Sequence, residues 1–254
     1  MKAMILAAGL GTRLRPLTDT TPKALIEVNG VPLLEIVIQR LKIYGFHEIM
    51  INVHHLAERI IEFLQQNHNF GCDIQISDET EQLLDTGGGL KQAAWFFDDG
   101  RPFLVHNVDI LSDLDLRQFY NSHLQSDALA TVAVSNRQSS RYFLFNRENI
   151  LCGWKNTTTG EIKITRTTAD ADLAPFAFSG MYVINPAIFA LMPKQEVFSI
   201  TDVYIQLAAT QKIVAFQHEC SLWMDLGKKE HLAQAGAILR QMRERIKQSL
   251  LFGN

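Results

Sequence analysis

The chain is short of cysteine, of net charge and of long apolar runs. Its three cysteines, Cys72, Cys152 and Cys220, lie far apart in 254 residues and form no CxxC pair. A disulfide framework and a structural zinc site are therefore not expected, and reduced, packed thiols suit a cytoplasmic location. Lys and Arg number 24 against 27 Asp and Glu, a formal net charge of −3. That balance gives no reason to expect a broadly basic, nucleic-acid-binding face, so phosphate recognition is expected to be local. No apolar run reaches the roughly 18 residues that a membrane helix requires. The opening stretch Met1–Gly9 is too short for a signal peptide and runs straight into turn residues and arginines. No internal repeat, low-complexity tract or Pro/Gly/Ser linker divides the chain. One continuous domain is expected.

What is present is an ordinary globular composition, 47% hydrophobic and 20% charged, arranged first in β-α-β order. Lys2 to Ala7 is a short apolar run ended by glycine, as in a strand covered on both faces. Leu34, Val37, Ile38, Leu41 and Tyr44 recur near a 3.6-residue period, which predicts a helix over 33–44 stopped by Gly45. Strands are expected at 48–53, 73–77 and 102–106, with helices at 56–64 and 88–97. Such repetition implies a mostly parallel sheet with right-handed crossovers. After about residue 128 the pattern changes to short β-rich pieces at 128–135, 142–145, 150–154 and 161–164, which suggest hairpins. Strands at 178–184, 213–217 and 222–225, a helix at 201–209 and a closing helix from Lys228 to about Ile246 complete the reading.

The first strand runs into Leu6-Ala7-Ala8-Gly9-Leu10-Gly11-Thr12-Arg13-Leu14-Arg15-Pro16. In an open α/β sheet, ligands sit beyond the carboxyl ends of the strands. Gly9 and Gly11 can bring backbone N–H groups close to phosphate oxygens, and Arg13 adds a planar cationic fork. Lys23 offers a second cation. The loop is neither a Walker sequence nor the dinucleotide fingerprint. A tight turn with no ligand is the commoner explanation of a lone GxG; the gathered cations Arg13, Arg15 and Lys23 favour phosphate.

Phosphoryl transfer asks a protein for in-line positioning and charge neutralisation, commonly through Mg²⁺ on one or two carboxylates. Asp109 and Asp225 each end a strand-like run, in Phe103-Leu104-Val105-His106-Asn107-Val108-Asp109 and Leu222-Trp223-Met224-Asp225-Leu226-Gly227. An aspartate at a strand end is more often a turn residue or helix cap, and the neighbouring Asp113 and Asp115 mean that pattern alone does not select Asp109. Asp85-Thr86-Gly87-Gly88-Gly89-Leu90 opens a helix, where exposed N–H groups suit an anion or ribose hydroxyls, or where glycines simply form a flexible entry. Gly180, in Phe178-Ser179-Gly180-Met181, leaves room for a ligand or forms a strand bulge. His54 and His55 face a cleft or the surface. No nucleophile–base–orienter triad is evident.

Leu6-Ala7-Ala8-Gly9-Leu10-Gly11-Thr12-Arg13-Leu14-Arg15-Pro16-Leu17, then Thr21-Pro22-Lys23-Ala24-Leu25, closely resembles the LAAGxGTRLxPLT…PKxL motif of sugar-phosphate nucleotidyltransferases. The resemblance continues through Gly30-Val31-Pro32-Leu33-Leu34-Glu35 and the Trp-x-Asp-Leu-Gly step that ends in Gly227. Asn107-Val108-Asp109 departs from the commoner Asn-Gly-Asp, with the carboxylate in register. The resemblance implies an enzyme that joins a sugar 1-phosphate to a nucleoside triphosphate, releasing pyrophosphate. By its motifs Arg13, Lys23, Asp109 and Asp225 are catalytic, with Asp109 and Asp225 holding Mg²⁺. Ala8, Gly9, Gly11, Thr12, Arg13, Lys23, Thr86, Gly87 and Gly88 contact the nucleotide, and Asn107 and Gly180 the sugar. The Glu-Lys-Pro step that grips the sugar phosphate in some members is absent, leaving Lys155, Lys163 and Arg166 as candidates.

The resemblance implies an α/β fold: a Rossmann-like mixed, mostly parallel sheet flanked by helices (a GT-A-like nucleotidyltransferase fold) with a β-rich sugar-binding subregion. Residues 1–254 are expected to form a single nucleotidyltransferase domain, with a nucleotide-binding half at 1–127, a sugar-binding half at 128–227 and a C-terminal helix at 228–254. Among subfamilies, the chain looks most like N-acetylmuramate 1-phosphate uridylyltransferases, implying UTP, an N-acetylated hexose 1-phosphate and cell-wall nucleotide-sugar synthesis. GTP-dependent mannose or heptose 1-phosphate guanylyltransferase is the alternative, and a non-catalytic nucleotide-sugar-binding regulator a third reading. The expected partners are the nucleoside triphosphate and the sugar 1-phosphate, with no nucleic acid and no membrane; oligomeric state is left open.

Overall fold

In the computed structural model the described residues are 1–168, 172–218 and 222–252; Cys220 lies outside them. The strands in chain order are β1 (Lys2–Leu6), β2 (Glu27–Val28), β3 (Val31–Pro32), β4 (Glu48–Val53), β5 (Asp73–Asp78), β6 (Phe103–Asn107), β7 (Ile110–Ser112), β8 (Ala130–Ser135), β9 (Arg141–Phe145), β10 (Leu151–Asn156), β11 (Ile162–Ile164), β12 (Ala174–Ile184), β13 (Ile213–Gln217) and β14 (Trp223–Asp225). The α-helices are α1 (Leu17–Thr20), α2 (Leu33–Ile43), α3 (Ala57–Gln66), α4 (Asp85–Gln92), α5 (Leu116–Leu124), α6 (Ile200–Leu207) and α7 (Lys229–Phe252). The chain forms two compact units whose segments interleave in sequence. One holds Met1–Leu83, His106–Arg117 and Cys220–Asn254; the other holds Leu84–Val105 and Gln118–Glu219.

In the first unit β1, β4 and β5 run parallel, with Lys2 opposite Glu48 and Glu48 opposite Asp73. Ala3, Met4 and Ile5 of β1 and Ile49, Met50 and Ile51 of β4 are fully buried, which is why these strands read as apolar runs rather than as alternation. Helix α2 turns Leu33, Leu34, Val37, Ile38 and Leu41 inward. It ends where Phe46 N–H donates to Leu41 O and Gly45 N–H to Lys42 O, the paired bonds of a Schellman stop. The short strand β7 pairs antiparallel with β14, setting Asp225 opposite Ile110 and Trp223 opposite Ser112. Helix α7 buries Ala235, Leu239, Met242 and Ile246 at helical spacing.

The second unit is the β-rich part, in the order β11-β10-β9-β12-β8-β13. Of the pairings among β8 to β13, those of β10 with β11 and β9 and of β12 with β8 and β9 are antiparallel, and that of β13 with β8 is parallel. Its core includes Phe97 stacked on Phe103 at 3.7 Å between ring centroids, with Phe189 5.9 Å from Phe103. Helix α4 starts hard against the chain before α6: a Cβ on Gly88 would lie 2.0 Å from the Glu196 carbonyl oxygen, a backbone atom. Gly88→Ala should therefore destabilise this unit by about 3 kcal/mol, near the upper end for overpacking. Urea unfolding checks it, and a midpoint equal to the parent's would refute the contact.

The fold class is the expected α/β one, a mixed sheet flanked by helices, and the expected β-rich region is present. Most expected elements stand within two residues of their observed ends. Differences have local causes. The helix expected over 88–97 is α4 followed by a 3₁₀ turn at Ala93–Phe97, because the aromatic run Trp95-Phe96-Phe97 packs as a knot rather than as a stripe. Strand β12 begins at Ala174, four residues before the expected start, through pairing with β9. Strand β7 and helix α5 were not expected; β7 has only three residues, too few to show a period. Among the described residues no helix is long and apolar enough to cross a membrane.

Candidate active site

The groups that the sequence offers for phosphate chemistry and that lie in the first unit converge. The loop after β1 is anchored beneath by Thr18, whose hydroxyl donates to Gly11 O at 2.9 Å. Gly11 itself has φ 63°, and a Cβ there would lie 2.7 Å from the Thr18 methyl and 3.2 Å from Lys23 Cβ. Only glycine fits this turn, so the loop and Lys23 are packed against one another. A Cβ on Gly9 would meet nothing within 4 Å, which leaves the loop open on that side. Upstream, Ala7 N–H donates to Asn52 Oδ1 at 2.8 Å, and Asn52 Nδ2 donates to the buried Glu79 carboxylate at 2.7 Å. Buried, satisfied networks of this kind fix backbone position.

Lys23 Nζ donates to Asp109 Oδ2, with both side chains nearly buried at 12% and 13% exposure. Asp109 stands one residue before β7, and its carbonyl accepts from Leu226 N–H at 2.8 Å. Asp225 ends β14 across from Ile110, so the two carboxylates emerge from adjacent strands although they are far apart in sequence. The Asp225 carboxylate accepts from Gly227 N–H at 2.7 Å. Gly227 is the contact point for two of these groups: a Cβ there would lie 2.5 Å from Arg13 Nη2 and 2.9 Å from Asp225 Oδ1. Arg13 is exposed and makes no ion pair among the described residues, whereas Arg15 pairs with Asp19 at 3.3 Å. The result is one cluster: an open backbone turn, a free guanidinium, an ammonium–carboxylate pair and a second carboxylate.

Two further residues shape this cluster. Asn107 Oδ1 is buried without a hydrogen-bond partner, two residues from Asp109, and such an orphan acceptor calls for a donor from outside the chain. Arg40, on the buried side of α2, places Nη1 3.0 Å from His106 Nε2 and donates from Nη2 to Leu114 O at 2.5 Å. A guanidinium only donates, so His106 Nε2 accepts and its Nδ1–H donates to Asn107 O at 2.8 Å. His106 is neutral: burial first, then the Arg40 charge, pushes its pKa from 6.5 down to about 3. Burial also lowers the Arg40 pKa to about 10.

That histidine makes stability pH-dependent. Its folded pKa is below the unfolded value, so between about 3 and 6.5 the unfolded chain holds a proton that the folded chain does not. The stabilisation is whole above pH 6.5 and is lost as pH falls. Lowering pH from 7 to 5 should cost about 2 kcal/mol through His106. Urea unfolding at the two pH values measures it, and an identical loss in His106→Gln would assign the effect elsewhere.

The remaining expected site residues lie in the second unit. Gly87 and Gly88 N–H groups both donate to Phe198 O, at 2.9 and 3.2 Å, and Thr86 Oγ1 accepts from Ile200 N–H at 3.0 Å. The helix-start amides expected to be exposed to an anion are thus committed within the unit. Gly180 has φ 75° where the β12–β8 register shifts between Phe178 and Tyr182, so it is a bulge residue. Beside it Ser179 Oγ lies 2.7 Å from His218 Nε2. Of the acceptor-phosphate candidates, Arg166 donates to Ala208 O and Gln211 O, Lys163 pairs with Glu161 at 3.4 Å, and Lys155 lies over the Tyr142 ring at 5.4 Å. His54 and His55 both meet backbone carbonyls, of Glu79 at 2.6 Å and Thr18 at 3.2 Å, and so brace the loop.

Residues 2–242 match the family described as Nucleotidyl transferase. The chain belongs to that family. The transferase is 34% identical over 245 residues to the N-acetylmuramate alpha-1-phosphate uridylyltransferase of Neisseria meningitidis serogroup B, covering 94% of this chain and 98% of the relative. It is 32% identical to the mannose-1-phosphate guanyltransferase of Yarrowia lipolytica, covering 90% of this chain and 61% of the relative. Among solved structures, HddC from Yersinia pseudotuberculosis complexed with GMP-PN superposes with a TM-score of 0.75 at 22% identity, covering 93% of this chain and 98% of that one, which shows the shared fold. The protein is a sugar-1-phosphate nucleotidyltransferase, an enzyme of nucleotide-sugar synthesis, and its family generally uses divalent metal ions.

The donor set fits such an ion. Two carboxylates on adjacent strands are hard oxygen ligands, and no group of three or more His, Cys, Asp or Glu that could hold a metal exists among the described residues. Hard oxygen donors of this kind suit a divalent cation such as Mg²⁺, which takes one or two carboxylates together with substrate phosphates and water.

Proposed function

We propose that the transferase couples UTP to an N-acetylated hexose 1-phosphate, with release of pyrophosphate, and that residues 1–254 work as one nucleotidyltransferase domain. The observation that carries the reading is the Lys23–Asp109 pair beside Arg13, Asp225 and the open turn at Gly9. The relationship to an N-acetylmuramate 1-phosphate uridylyltransferase supports the choice of substrates.

In this reading the backbone of Ala8, Gly9, Gly11 and Thr12 receives the triphosphate. Lys23 offsets charge at the α-phosphorus, and Arg13 stabilises the departing pyrophosphate. Asp109 and Asp225 hold Mg²⁺, which when bound supplies Lewis-acid neutralisation of the phosphate oxygens. A sugar 1-phosphate is already ionised near neutral pH, so its oxygen attacks without a protein general base. The Asn107 acceptor turns to a sugar hydroxyl or amide donor. Nucleotide contacts by Thr86, Gly87 and Gly88, and sugar contact by Gly180, rest in this reading on their motifs alone. A cytoplasmic location and a role in supplying cell-wall precursors follow from the same substrate choice.

Pyrophosphate release across UTP, GTP and dTTP, each with N-acetylmuramate, N-acetylglucosamine, glucose, mannose and heptose 1-phosphates, tests the proposal. The highest kcat/KM is expected for UTP with an N-acetylated sugar. Preference for GTP with mannose or heptose 1-phosphate would replace it with the guanylyltransferase reading. Tight nucleotide binding without turnover on any pair would make the protein a regulator.

A further inference from the structure

We infer that Arg40 and His106 are positioning residues for the Asp109 carboxylate, an inference that rests on the function proposed above. One guanidinium clasps both ends of the segment that carries Asp109: Nη1 reaches His106 before it and Nη2 reaches Leu114 O after it. The clasp continues along the chain, because the His106 ring passes its Nδ1–H to Asn107 O. The next two residues are tied by other strands, Val108 N–H to Leu6 O at 3.1 Å and Asp109 O to Leu226 N–H at 2.8 Å. Successive peptide groups before the carboxylate are therefore held in turn, and only the first tether depends on Arg40 and His106.

Packing alone would not ask for these side chains. Arg40 lies three residues after Val37 and four after Ile36 on the buried face of α2, where an aliphatic residue fills space without desolvating a charge. His106 is fully buried in a run of Phe103, Leu104 and Val105, and it lies three residues from Asp109. It is closed to solvent and neutral, so it exchanges no proton with substrate. What the pair supplies is direction: the polar link fixes the tautomer of His106, the Asn107 carbonyl and hence the aim of both Asn107 Oδ1 and Asp109.

The test compares the enzyme with Arg40→Met/His106→Leu, an apolar pair that leaves Asp113 its bond from Leu222 N–H and its pair with Arg245, and with His106→Gln, whose amide both accepts from Arg40 and donates to Asn107 O. Three quantities are read: kcat and KM for each substrate, the half-saturating Mn²⁺ concentration by electron paramagnetic resonance with the triphosphate bound, and Tm. The apolar pair should lose about 100-fold in kcat, the size of effect expected for small misplacement of a reacting group. Its half-saturating Mn²⁺ should rise at least about tenfold, as for loss of outer-shell support of a metal ligand. KM should change by less than about threefold because the triphosphate loop is untouched. His106→Gln should recover most of the kcat and Mn²⁺ affinity. Parent-like kcat and Mn²⁺ affinity in the apolar pair, or losses in it that His106→Gln shares, would overturn the inference. If the apolar pair does not fold, His106→Gln set against His106→Leu decides by the same readings. A parent enzyme that releases no pyrophosphate with any pair would sink the proposed function instead, while Mn²⁺ affinity would still report on the carboxylate.

Discussion

Asp225→Ala is expected to lower kcat between about 100- and 1,000-fold, the range seen when a principal electrostatic stabiliser is removed. Among the described residues the Asp225 side chain accepts one hydrogen bond, from Gly227 N–H at Oδ1. Asp225→Asn keeps that bond and the shape while removing the charge. The asparagine variant should therefore keep the Tm of the parent, and both variants should lose turnover, with KM for the triphosphate much less affected. A parent-like kcat in Asp225→Ala with Mg²⁺ present would dismiss the carboxylate from the reaction. Recovery of turnover in the asparagine variant alone would reduce Asp225 to a brace for Gly227.

Gly227→Ala should be nearly as damaging through a single methyl group. The added Cβ would fall 2.5 Å from Arg13 Nη2 and 2.9 Å from Asp225 Oδ1, closer than side-chain carbons approach, so both functional groups must shift. Misplacement on that scale costs about 100-fold in kcat/KM. Because Arg13 is an exposed, flexible side chain that can swing away, stability should change little. The combination of a large kinetic loss with an unchanged Tm separates displacement of the site from loss of folding. A kcat/KM within a few-fold of the parent would mean that Arg13 and Asp225 need not share the space beside Gly227.

Much of this was legible in the sequence because it is local. Apolar runs predict β1 and β4, alternation predicts β5 and 3.6-residue spacing predicts α2, and the first glycine loop announces itself by its cations. Asp109 and Asp225 could be proposed only through motif resemblance, since Asp113 and Asp115 present the same chemistry at nearly the same place. In the structure Asp113 accepts from Leu222 N–H at 2.6 Å and pairs with Arg245 at 3.2 Å, Asp115 accepts from Arg117 N–H, and Asp109 pairs with Lys23. The amides of Gly87 and Gly88 look open in the sequence because their acceptor, Phe198 O, lies more than a hundred residues later. Arg40 leaves a trace in the sequence, a charge on the apolar stripe of a helix. His106 leaves none, because a single histidine in an apolar strand has no partner in sequence terms.

The pairing of β7 with β14 has a consequence for synthesis on the ribosome. A growing chain displays its glycine loop, Lys23 and Asp109 long before Asp225 emerges, and β7 has no antiparallel partner until then. Nascent protein in that interval carries one of the two carboxylates proposed to bind metal and lacks the other. Such late, long-range closure is slow relative to local helix formation, so activity should switch on abruptly with arrival of the final strand rather than grow with chain length.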